Sequence, residues 1–125
     1  MANEIQINAT MAASKNNSSI GGGGVFNYTM AGNFTNKLNL NISHTAWTQI
    51  TFGGSIPTTS PAPTAFYVKN LDGVNPITVA VDNAGTNKFT VVPAGGTVVI
   101  IPPTNVQYWA EATTADVTVE VGVAQ

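Results

Sequence analysis

A chain of 125 residues, 43% hydrophobic and only 8% charged, has the length of one domain and the material for one core. Charged residues fall far below the usual share of about a quarter, arginine is absent, and a net charge of −2 argues against a role built on neutralising phosphates. Without cysteine there is neither a disulfide framework nor a thiolate metal site, and the single histidine excludes the usual zinc sets.

Met1-Ala2-Asn3-Glu4 lacks the basic region and apolar run of a signal peptide. No apolar stretch approaches the roughly 18 residues of a membrane span. The sequence is therefore read as a product of the cytoplasm with no membrane or nucleic-acid partner.

The first alternation runs from Glu4 to Met11, with Ile5, Ile7, Ala9 and Met11 on one face and Glu4, Gln6, Asn8 and Thr10 on the other. It predicts a first strand, or an arm that pairs outside its own domain. Ala9 to Lys15 has room for one turn of helix at most. From Ser14 to Gly24 the pattern lapses into Lys15-Asn16-Asn17-Ser18-Ser19 and then the glycines Gly21 to Gly24, which read as a flexible loop. Residues 1–24 thus form an N-terminal arm and Gly-rich loop. No Lys-Ser/Thr follows the glycines, so they do not form a phosphate-cradling loop.

Phe26, Tyr28 and Met30 mark a second strand, Leu38, Leu40 and Ile42 a third, and Trp47 to Phe52 a fourth, stopped by Gly53-Gly54. Residues 55–64 are a Pro-rich surface connection. From Ala65 to Val123 short alternating runs follow one another with little but turns between them. Phe66 and Val68 come first, then Ile77, Val79 and Val81, then Phe89 and Val91. Thr97 to Ile101 is next, then Val106, Tyr108 and Ala110, and last Val117, Val119, Val121 and Val123. Turn signals at this spacing predict an all-β fold: one β-sandwich domain over 1–125, of about eight to ten antiparallel strands, with a jelly roll as the candidate topology. The expected core is Leu38, Leu40, Ile42, Ile77, Val79, Val81, Phe89, Val91, Val117, Val119 and Val121.

Chemistry is harder to find. His44 has Ser43 and Thr45 beside it but no acid nearby in sequence to orient it, so it reads as a turn histidine at a strand end. Asp72 and Asp82 lie in turns and are better read as turn chemistry than as calcium ligands. Glu111, Asp116 and Glu120 make no convincing glycosidase pair. No catalytic residue, metal ligand or cofactor site is assigned. The aromatics Trp47, Tyr67, Tyr108 and Trp109 suit core packing first, then an interface or a sugar-stacking platform. Tyr108 and Trp109 are adjacent, so on a strand they point to opposite faces. The interface candidates are Ile5, Ile7, Met11, Trp47 and Trp109.

Three stretches carry a resemblance: Phe66-Tyr67-Val68-Lys69-Asn70-Leu71-Asp72, Phe89-Thr90-Val91-Val92-Pro93-Ala94-Gly95-Gly96, and Tyr108-Trp109-Ala110-Glu111-Ala112. Together, over residues 65–123, they resemble a group of small tailed-phage virion proteins. That resemblance implies a β-sandwich acting as a structural part of a phage particle, with no enzymatic residues to carry over. A head decoration or cement protein suits the size. Its expected partners are the major capsid protein and further copies of itself, as a homotrimer, on the capsid surface. The rival readings are a carbohydrate- or receptor-binding module of a tail or fibre, and a small lyase or hydrolase acting through Glu111 or Asp116.

Overall fold

Val117, Val119, Val121 and Val123 all point inward along one strand near the C-terminus, and the other strands assemble around it. The computed structural model describes residues 4–15, 18–29, 35–53, 65–102 and 106–124, which form ten strands and no helix. The strands are β1 (Glu4–Lys15), β2 (Ser18–Thr29), β3 (Thr35–Ile42), β4 (Thr48–Gln49), β5 (Ala65–Asn70), β6 (Ile77–Ala80), β7 (Lys88–Val92), β8 (Thr97–Ile100), β9 (Trp109–Ala112) and β10 (Val117–Ala124). All pairings are antiparallel.

Eight of these strands form two four-stranded sheets, in the orders β3-β10-β5-β8 and β4-β9-β6-β7. Numbered from β3, those orders are 1-8-3-6 and 2-7-4-5, the double Greek key of a jelly roll. One core lies between the sheets. Ile42, Val68, Ile100 and the valines of β10 meet Ile77, Val79, Val92, Ala110 and Ala112 there. Phe52, Phe66, Tyr108 and Phe89 make a run of ring contacts at centroid distances of 5.0, 5.3 and 5.8 Å, linking the two layers. Each such pair adds about 0.5–1.5 kcal/mol beyond the area it buries.

The third sheet is the β1–β2 hairpin, which pairs from Glu4↔Thr29 to Lys15↔Ser18 without a break. The structure differs here from the sequence reading. Gly21 to Gly24 are not a loop but lie within β2, opposite Ala9 to Ala12, and no helical turn forms between Ala9 and Lys15. Glycine carries no side chain to alternate, so a paired strand of glycines leaves no periodic signal. The connection over residues 55–64 lies outside the described residues.

The core also departs from expectation on one strand. Val92 is buried while Phe89 and Val91 are 52% and 57% exposed. Thr90 pairs with Val79 but Lys88 pairs with Ala80, so Phe89 is an extra residue in a bulge. The pair Ile77↔Val92 fixes the inward phase, and one residue of slip turns the alternate set to the other face. Val81 is exposed because β6 ends at Ala80 and the chain turns there. Leu38 and Leu40 face inward from the edge strand β3 and are half-buried.

Candidate functional site

Among the described residues, two grooves beneath the hairpin and a polar cluster at one end of the sandwich hold more than solvated side chains.

The first groove, about 600 Å³, lies where Gln6, Ile7 and Asn8 of β1 pass over the ends of β3, β5 and β10. Its floor is made by the outward residues of the sheet. Tyr67, Gly122 and Lys37 are cross-strand neighbours, and a side chain at position 122 would run into the Tyr67 ring. The aromatic ring lies on the glycine backbone, a device that covers a glycine in a sheet, and a side chain at 122 would push the ring aside. Tyr67 donates its hydroxyl hydrogen to Glu120 Oε1 at 2.7 Å, and Lys37 Nζ lies 3.9 Å from Glu120 Oε2. The bond to the carboxylate, and then burial, push the Tyr67 phenol above the ordinary tyrosine range.

The second groove, about 720 Å³, is lined by Ile7, Asn8, Ala9 and Thr10 of β1 and by Thr97, Val98, Val99 and Ile101 in and beside β8. Side chains alternate across a strand, so a run of consecutive lining residues means that strand edges, rather than one face of each, border the groove. Among the described residues β1 pairs only with β2, and β8 only with β5. Two unpaired edges therefore border one uncharged groove.

The polar cluster joins the turn after β3 to the turn before β10. His44 Nδ1 lies 2.6 Å from Asp116 Oδ1, the His44 amide donates to the same oxygen at 3.1 Å, and Asn41 Nδ2 donates to Asp116 Oδ2 at 3.4 Å. The two His44 bonds come first in holding the Asp116 carboxyl below the usual carboxylate range. Nothing nearby in sequence signals this pair, because the partners are 72 residues apart. Ser43 Oγ bonds Thr45 rather than the imidazole. Among the described residues no three His, Cys, Asp or Glu side chains converge on a metal site. Asp72 and Asp82 are occupied locally. Asp72 Oδ1 accepts from the amides of Asn75 and Val74, and Asp82 accepts from those of Thr86, Asn87 and Ala84.

The five interface candidates divide between the two sides of the sandwich. Ile7 and Met11 lie on the hairpin with the backbone of Ile5; Ile7 lines both grooves and Met11 is 65% exposed. The Ile5 side chain lies outside the described residues. Trp109 is half-buried and points outward from the opposite sheet, between the inward Tyr108 and Ala110. Trp47 covers Gly85, whose φ of +67° is the turn conformation glycine adopts without strain. Sequence reasoning missed the β8 edge, although Thr97 to Ile101 shows no charge or proline to guard it. Comparison with protein families, with curated proteins and with solved structures returns no match to this chain.

Proposed function

We propose that this chain is a structural virion protein of a tailed phage, a capsid decoration or cement protein that binds and stabilises the head shell. The observation that carries this reading is the hairpin. A two-stranded sheet is marginal in water without further strands or a partner surface. Here twelve residues per strand form such a sheet, with no charge between Glu4 and Lys15, and Met11 and Val25 exposed. An element of that kind suits assembly. The resemblance of residues 65–123 to small virion proteins supports the particle.

The test is to add the purified chain to undecorated shells and sediment them. Binding should saturate and should survive salt that shortens the Debye length from about 10 Å to about 3 Å, because so few charges are available. Ile7→Lys with Met11→Lys should abolish it. Stripping by moderate salt, or full binding by the charged variant, contradicts this reading.

The Tyr67 groove favours one rival, a carbohydrate-binding module, since its half-buried ring is flanked by Gln6, Asn8, Lys37 and Glu120. Glycan-array binding that disappears in Tyr67→Ala would establish that rival.

A further inference from the structure

We propose that the free edge of β8 is the docking site for the hairpin of a second copy of this chain, whose β1 adds to it as a fifth strand. The sheet would then run β3-β10-β5-β8-β1-β2, with the last two strands from the neighbour.

The choice of β8 follows from the state of the sandwich's edges. Among the described residues, four strands end its two sheets: β3, β8, β4 and β7. Natural edges are guarded by charge, by bulges, by proline or by being very short. β7 carries both a bulge and Lys88, β4 is two residues long, and β3 has Lys37 in its outward row. β8 has no charge, no proline and an unbroken register against β5. Val99 and Ile101, on and just beyond it, are 48% and 47% exposed.

The choice of occupant follows from the same groove. Its other wall is the unpaired edge of this chain's own β1, so one molecule carries both halves of a strand pairing and does not make it. Strands in a ladder sit about 4.7–4.9 Å apart. The groove of about 720 Å³ instead holds the two edges apart within one chain. A hairpin swung out of its own groove and across to a second copy would be free to close that distance. No charge lines the groove, and none lies within β1 between its end residues, so the two surfaces match in lacking charge. Addition would also carry the marginal hairpin from two strands to six. Because β1 of one copy meets β8 of the next, the contact is head-to-tail, and it builds a ring where the rotation between copies closes and a filament where it does not. None of this depends on binding to a shell, and the test uses the isolated full-length chain.

The chain has no cysteine, so single cysteines report contacts cleanly. The intact protein should sediment as a multiple of 12.9 kDa. Mixing Ala9→Cys chains with Thr97→Cys chains should give a disulfide between different copies. Val99→Lys, which places a charge at the edge without touching the core, should shift the mass to that of a single chain with the circular-dichroism spectrum unchanged. Three results overturn the proposal: an intact chain that is a monomer at every concentration, an oligomer that Val99→Lys leaves unchanged, or a cross-link that forms within a chain carrying both cysteines and never between chains. The last would assign the groove to closure by the chain's own hairpin.

Discussion

Asn70 shows how one side chain holds the part of the sequence that looked like turn chemistry. It is the one fully buried polar residue among those described, at the inward end of β5. Its Nδ2 donates to the carbonyls of Asn75 at 2.8 Å and Val92 at 3.4 Å, and its Oδ1 accepts from the Asp72 amide at 2.9 Å. Asn70→Ala leaves those groups buried without partners and should lower stability by about 1–3 kcal/mol in denaturant unfolding. The acids act at the surface. Asp72, Asp82 and Asp116 are each held below the usual carboxylate range by hydrogen bonds, mainly from amides in the first two and from His44 in the third. Because their folded values are depressed, the stability they contribute is present above the unfolded carboxylate pKa of about 4 and is lost as pH falls through the folded values. The thermal unfolding temperature should therefore fall below about pH 4, and Asp116→Asn should show a smaller fall over that window. His44→Ala and Glu111→Gln should leave biological activity intact. Loss of activity from either, with stability preserved, would reveal a catalytic role.

At the scale of the strand, the face a residue occupies decides what its replacement does. Ile77 is fully buried, and Ile77→Ala should cost about 2–5 kcal/mol. Val91 points away from the core, and Val91→Thr should change stability by less than about 0.5 kcal/mol. A large loss from Val91→Thr would place β7 in the other phase. This strand was hard to read because Phe89, Val91 and Val92 put apolar residues at both parities, and only the pairing of Val92 with Ile77 sets which parity faces inward. By contrast β10 was legible at once, since Val117 to Val123 alternate with Thr118, Glu120 and Gly122 and the buried set is the valines. The glycines of β2 hold their extended form through pairing with β1, which local pattern does not record. His44 and Asp116 meet only because β3 and β10 are neighbours, with Val117 opposite Ile42.

At the scale of the molecule, a well-packed sandwich with open edges carries a hairpin that lacks a core of its own. The jelly roll explains where each surface lies: the hairpin and the β8 edge on one side, Trp109 on the other. Shell attachment is the claim on which the functional reading rests. The most direct measurement is the ratio of this chain to the major shell protein in purified heads, by quantitative mass spectrometry, together with its position in a reconstruction of the particle. The account predicts a fixed ratio set by the lattice and density for the sandwich on the outer surface of the shell. Absence of the chain from purified heads, or its confinement to tails or fibres, would contradict it.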